Sequence, residues 1–198
     1  MSISAKLVKE LRDRSGVGMM DCKKALLESK GDLDKAFEVL RKNGVAKAQK
    51  KAGREAKEGS IISYIHPGSK LGVLLELNCE TDFVANTDDF KNLANDICMH
   101  IAATAPISIN SEDVSQSILD KEKEIYLDQA KKSGKPENII EKMVDGRVKK
   151  FLQENVLLEQ NFVKDPSKTI TDLITDKVSV LGENIIVNSF SRFQVGEK

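Results

Sequence analysis

Cys79, Asp82 and His66 are the side chains of this chain best suited to covalent chemistry. A cysteine nucleophile, a histidine base and an acid to orient it would make a thiol site. The surroundings argue against it. No glycine turn of the oxyanion type adjoins Cys79, and a strand-end thiol close to Leu77 is expected to be buried and inert. With Cys22 and Cys98 the cysteines number three, an odd count without metal-type spacing. That pattern predicts reduced thiols in a cytoplasm rather than a disulfide framework or a metal centre. No catalytic residue, cofactor site or metal site is therefore assigned.

Recognition is the alternative chemistry, and the stretch Cys79–Asn86 carries it. Two acids, Glu80 and Asp82, precede Phe83 where an apolar run (Leu71 to Leu77) gives way to an amphipathic pattern. A side chain at such a turn is held at its base and free at its tip. Two fates are open to Phe83: insertion into a partner, or return to its own core, the commoner habit of phenylalanine. A second candidate surface is Met19–Met20 with Lys23. Adjacent residues on a helix lie about 100° apart, so at least one of the two methionines is expected to be exposed. Methionine is also common core filler, and Lys23 alone would be read as a solvated lysine.

Bulk properties narrow the classes. Lys+Arg and Asp+Glu are both 31, so no basic excess drives nucleic-acid binding. Aromatic residues are 5% with no Trp, which disfavours a base-stacking platform. No apolar run approaches the roughly 18 residues of a membrane span. Lys6, Lys9, Glu10 and Arg12 interrupt any signal-peptide core.

The elements that must hold these residues follow from periodicity. Ile3, Leu7, Val8 and Leu11 predict a first helix capped by Ser2 or Ser4. Ser15-Gly16-Val17-Gly18 breaks it. A second helix has Met20, Ala25 and Leu26 as inward positions and ends at Gly31. Asp32 caps a third with Leu33, Phe37 and Leu40, stopping near Asn43-Gly44. Residues 45–59 read as a solvated helical connector whose Lys47, Lys50, Lys51 and Arg54 form a solvated face or touch acid on a partner or RNA backbone. Ser60–Ile65 and Leu71–Cys79 predict a β-hairpin with His66 near its tip, ordinarily surface decoration. Phe90, Leu93, Ala94, Ile97, Cys98 and Ile101 then form one wide helical face capped by Asn86 or Thr87. A helix capped by Ser111 or Asn110 runs to Ser133-Gly134, and Pro136 opens another. Joined by a Gly-Lys-Pro corner, they make an antiparallel hairpin, a projecting arm at about 110–155. Asp165-Pro166-Ser167 starts a short helix, and Glu183 to Val195 returns as a last strand. The expected fold class is α+β: a three-helix, ubiquitin-associated-like bundle (1–52), and a core domain (53–198) with a small antiparallel sheet, helices and the arm.

Two long stretches resemble a known family. Val8-Lys9-Glu10-Leu11-Arg12 through Met19-Met20-Asp21-Cys22-Lys23-Lys24-Ala25-Leu26 resembles the N-terminal signature of the bacterial elongation factor Ts family. Asn78-Cys79-Glu80-Thr81-Asp82-Phe83-Val84-Ala85 resembles its core signature. The stretches Ser133–Pro136, Glu141–Arg147 and Phe190–Glu197 also resemble the family, so the likeness covers nearly the whole chain. It implies a guanine nucleotide exchange factor for the translation GTPase elongation factor Tu, GDP-bound and nucleotide-free, with no bond chemistry of its own. By the same likeness Asp82 and Phe83 form a wedge into the nucleotide domain, with Thr81 and Val84 as partner contacts beside them. Met19, Met20 and Lys23 are the N-terminal contact, His66 the hairpin-tip contact, Leu181-Gly182 a loop contact and Val163 a contact beyond the arm.

Longer family members carry the hairpin-plus-helix core twice; this sequence has one copy holding both the Thr-Asp-Phe stretch and the histidine turn. A lone small sheet leaves an apolar face or an edge exposed, so a two-fold homodimer is expected to rebuild the double core, with His66 of one subunit near Asp82-Phe83 of the other. The cysteine count, the lack of a membrane-length apolar run and the balanced charge lead to the expectation of a cytoplasmic protein with no membrane partner and no direct nucleic-acid contact. Two other readings are a passive adaptor built on a ubiquitin-associated-type bundle, for which the Thr-Asp-Phe stretch would be superfluous, and the thiol enzyme set aside above.

Overall fold

The computed structural model describes residues 3–132 and 136–197. The fold is α+β, and among the described residues it has eight α-helices, a three-stranded sheet and a two-stranded one. The expected corner at Ser133-Gly134-Lys135 and the alternative cap Ser2 lie outside the described residues.

The first three helices are α1 (Ala5–Ser15), α2 (Met19–Glu28) and α3 (Leu33–Lys51). Ser4 accepts the Leu7 N–H to start α1, and Asp32 accepts those of Asp34 and Lys35 to start α3. Their apolar faces close on a core of Val8, Leu11, Val17, Cys22, Ala25, Leu26, Ala36 and Leu40. Two expectations need correction here. Met20 does not point inward: it is 67% exposed. It lies two residues before buried Cys22, about 200° around the helix, so the inward face is Cys22, Ala25 and Leu26. Nor does α3 stop at Asn43-Gly44; it continues to Lys51. Gly44 is buried, and a Cβ there would come within 3.1 Å of Ser179 Oγ. The glycine permits a close helix–helix approach rather than ending a helix.

Strands β1 (Glu58–Ile65) and β2 (Leu71–Cys79) form the hairpin, closed by bonds from His66 N to Leu71 O (2.9 Å) and from Ser69 N to His66 O (3.0 Å). The sheet is completed by β5 (Ile185–Gln194) in the order β1-β2-β5. Val195 N bonds Lys70 O at one end of β2, and Asn184 N bonds Glu80 at the other. Strands β2 and β5 are therefore antiparallel. Alternation puts Val73, Leu75, Leu77 and Cys79 inward, the period-2 pattern of a strand with one covered face.

A single helical turn, α4 (Asp82–Ala85), precedes α5 (Asp88–Thr104). Thr87 accepts the Phe90 N–H at the start of α5, as expected. The α5 face from Phe90 to Ile101 is buried throughout.

Further on, α6 (Gln116–Lys131) and α7 (Glu137–Asn155) form the antiparallel pair around Ala130, Ile140 and Val144. Helix α6 begins later than expected. Asn110 donates its N–H and side-chain amide to Asp113 (3.1 and 2.9 Å), which closes a short 3-10 turn at Ser111–Asp113 instead of capping an α-helix. Asp165–Thr169 is also not a helix start. It is strand β4, paired with β3 (Asn161–Phe162), and α8 (Ile170–Leu181) follows. Asp165 bonds the N–H and hydroxyl of Ser167 locally (3.2 and 2.6 Å), a turn that competes with helix initiation.

The chain divides into two compact units of interleaved stretches. One holds residues up to Ile62 with Leu75–Asn95 and Asp172–Asn188; the other holds Ser63–Leu74, Asp96–Thr171 and the residues from Ser189. In the first, Val180 of α8 packs on the three-helix core, so the bundle's apolar surface extends into α8. Filling the contact at Gly44 should be costly: Gly44→Leu is expected to lower stability by about 1–3 kcal/mol, the usual cost of overpacking, measured by chemical denaturation.

Candidate functional site

Phe83 is 82% exposed, while Val84 and Ala85, the next two residues of the same turn, are buried. Thr81 starts the turn, with its hydroxyl 3.5 Å from the Val84 N–H. Asp82 is exposed beside Phe83, and its carbonyl accepts both the backbone N–H and the side-chain amide of Asn86. Of the four predicted contact residues of this stretch, the wedge pair Asp82 and Phe83 is open to a partner, Thr81 is half-buried and Val84 turns inward. Cys79 beneath them is buried, and its thiol donates to Thr81 O (3.1 Å). Burial first, then the carboxylate of Glu183, pushes the Cys79 pKa up. Such a thiol is a poor nucleophile.

The same unit carries two further contact candidates, one near each end of the chain. Met19 and Met20 are exposed to 45% and 67%, with Lys23 exposed beside them. Leu181 is half-buried and Gly182 exposed at the end of α8. The loop that follows is tied to the wedge turn by two exchanged carboxylates. Glu80 accepts the Asn184 N–H (2.7 Å). Glu183 accepts the Thr81 N–H (3.0 Å) and the Thr81 hydroxyl (2.6 Å). The Asn184 side chain donates to Arg54 O (2.8 Å), Arg54 approaches Glu80 at 3.3 Å, and Lys51 donates to Gly182 O. The Asn184 N–H, then Arg54, hold the Glu80 carboxyl below the usual range. Lys47 pairs with Asp21 at 2.6 Å. Three members of the basic stretch, Lys47, Lys51 and Arg54, are thus engaged within the chain.

From the sequence Glu80 enters only as an acid preceding Phe83 and Glu183 only as the start of the last strand; neither they nor Asn184 are expected there as bonding partners of the turn. The available signal is an acid immediately after one strand and another two residues before the last strand, where side chains can replace a ladder that has ended.

In the other unit, His66 is exposed at the hairpin turn, and its Nδ1 lies 2.9 Å from the Tyr64 hydroxyl. The sheet there has an open apolar groove of about 470 Å³, lined by Ile65, Leu71, Leu74, Phe193 and Val195. Val163 is exposed between β3 and β4. Behind it His100 is wholly buried. The Val163 N–H points to His100 Nδ1 (3.3 Å), so the ring proton resides on Nε2, which faces Gln160 Oε1 at 2.9 Å. Burial pulls the His100 pKa below its ordinary value, against the opposing effect of Gln160. Among the described residues no helix is long and apolar enough to cross a membrane, and no cluster of metal-ligating side chains occurs.

Comparison with known proteins is consistent along the chain. A family model described as elongation factor TS matches residues 27–197. The elongation factor Ts of Fervidobacterium nodosum is 59% identical over 197 residues, covering 100% of this chain and 100% of that one. That of Thermosipho melanesiensis is 58% identical over 195 residues, covering 98% of this chain and 100% of the relative. That of Syntrophobacter fumaroxidans is 52% identical over 198 residues, covering 100% and 99%.

The buried histidine gives a pH signature. With its folded pKa depressed, the unfolded chain takes up the proton first. Stability from a neutral His100 is full above the ordinary value of 6.5 and is lost as pH falls through it toward the folded value. Thermal unfolding between about pH 7.5 and about pH 5 should show a decline in Tm that His100→Gln reduces.

Proposed function

Because the chain belongs to the elongation factor Ts family, the nucleotide exchange factors of elongation factor Tu, we propose that it promotes GDP release by inserting Phe83 into the GTPase. The observation that carries this reading is an aromatic ring 82% exposed on a turn whose following residues are buried. Leaving such a ring in water has no benefit to the isolated fold. Burying it in a partner contributes roughly 1.5–3 kcal/mol, which offsets part of the distortion it imposes.

The exchange rests on reciprocal coupling. A wedge that disturbs the groups holding Mg²⁺ and phosphate weakens GDP, and bound GDP must then weaken the factor equally. The factor therefore engages both the GDP-bound and the nucleotide-free GTPase, in the cytoplasm, without making or breaking a bond. Asp82 accompanies Phe83 in the wedge, with Thr81 and Val84 as its base. The module of residues 1–52 offers Met19, Met20 and Lys23 as a second grip. His66, Leu181, Gly182 and Val163 are further contacts.

The open groove bordered by Leu74, Phe193 and Val195 supports a two-fold homodimer, because a second copy of the same surface would cover it. In that dimer the second subunit's hairpin turn would supply His66 to the site. Light scattering at micromolar concentration is expected to report twice the mass of one chain; a stable monomer would rule the dimer out.

The wedge is tested by labelled-GDP release from elongation factor Tu. Phe83→Ala should reduce the stimulated rate about tenfold or more, from the burial energy lost, with thermal stability close to wild type. Unchanged GDP release would sink the wedge.

A further inference from the structure

We propose that Glu183 is a positioning residue for nucleotide exchange: its carboxylate clamps the Thr81–Phe83 turn to the Leu181–Asn184 loop, so that both meet the partner as one body. This rests on the reading of Phe83 as the wedge.

A ring that must push on another protein transmits force only if its base does not yield. The base is a four-residue helix, far below the length at which a helix is stable by itself. Something outside the turn has to hold it. Burial of Val84 and Ala85 fixes one side. On the other side, two donors of Thr81 end on the Glu183 carboxylate, the N–H at 3.0 Å on one oxygen and the hydroxyl at 2.6 Å on the other. An ionised acceptor makes both bonds stronger than neutral ones. Donation of the hydroxyl proton to Glu183 also turns a Thr81 lone pair toward the Val84 N–H, the bond that begins the turn.

The clamp is reciprocal. Glu80, next to Thr81, accepts the N–H of Asn184, next to Glu183. Strand β2 ends at Cys79 and β5 begins at Ile185, so backbone pairing has stopped before these residues. Side-chain carboxylates continue the connection past the end of the sheet. The carbonyl of Gly182 receives Lys51 from the end of α3, which ties the same loop to the helix that closes the bundle. The Leu181–Gly182 contact, the Phe83 wedge and the end of α3 are thereby linked through named bonds.

A purely stabilising role and a positioning role predict different kinetics. Exchange should be measured as labelled-GDP release against factor concentration for wild type, Glu183→Gln, Thr81→Val and the double variant. Glu183→Gln keeps the size but cannot accept both bonds. Its maximal rate should fall about tenfold, the scale of a lost charge-assisted hydrogen bond, while the half-saturating concentration changes by less than about threefold. Thr81→Val removes only the hydroxyl bond and keeps the backbone one, so its maximal rate should fall in the same way, and the double variant should lose clearly less than the product of the two single effects, because the hydroxyl–carboxylate bond is common to both. Hydrogen exchange at the Val84 amide should accelerate in each. An unchanged maximal rate, a loss confined to the half-saturating concentration, or additive effects would overturn the proposal. Thr81→Val probes the contact from its other side if Glu183→Gln does not fold. Phe83→Ala is run in parallel. If it leaves exchange intact the wedge reading fails; if it impairs exchange while Glu183→Gln does not, only the role of Glu183 fails.

Discussion

Successive residues of a helix are about 100° apart, and that rotation governs what the turn after β2 presents to solvent. Val84 and Ala85 are both buried, so the direction between them faces the core. Phe83, one step earlier, lies about 150° from that direction and is carried into solvent. Its exposure is a geometric result of its neighbours' burial and needs no special feature of the phenylalanine itself. The inward strand face ending at Cys79 sets where the turn starts, and the Thr87 cap sets where α5 begins. Between these two fixed points the chain has one turn to place, and only one residue of it can be the apolar tip.

Electrostatics around the turn follow the same logic of position over strength. Arg54–Glu80 and Lys47–Asp21 are partly solvent-exposed pairs, screened by water enough that each adds little to stability. Their value is directional. Lysines 50 and 51 sit in the last turn of α3, where the helix dipole favours positive charge, and Lys51 extends from there to a carbonyl of the α8 loop. A basic run that reads as a solvated face in isolation is mostly occupied with the chain's own acids and carbonyls.

Much of the fold was legible because its causes are local. Helix α1, the Asp32 cap, the hairpin and the apolar face of α5 depend on residues within a turn or two of each other. What escaped depends on distant partners or on competing local bonds. Gly44 looks like a helix end until Ser179 is seen against it. Asp165-Pro166-Ser167 has the composition of a helix start, yet pairing with Asn161–Phe162 makes it a strand. Met20 reads as an inward residue from spacing alone, but the phase of α2 is set by Cys22, Ala25 and Leu26. At the candidate site, the stretch around Phe83 was legible while the direction of the ring was not. The carboxylates of Glu80 and Glu183 bind backbone N–H groups, which leave no mark on composition.

The unbroken course of α3 sets limits on length variation in this chain. Its close approach at Gly44 and its lysine bond at Lys51 lie on one rigid rod. Inserting or deleting one residue between them would rotate everything beyond by about 100° and shift it by about 1.5 Å. Lys51 would leave the Gly182 carbonyl, and the connection into β1 would start from a different side of the helix. Point substitutions at the solvated positions of this stretch are easily absorbed, whereas a change in its length is not. Between Gly44 and Lys51, drift in side chains and drift in residue number are therefore under very different constraints.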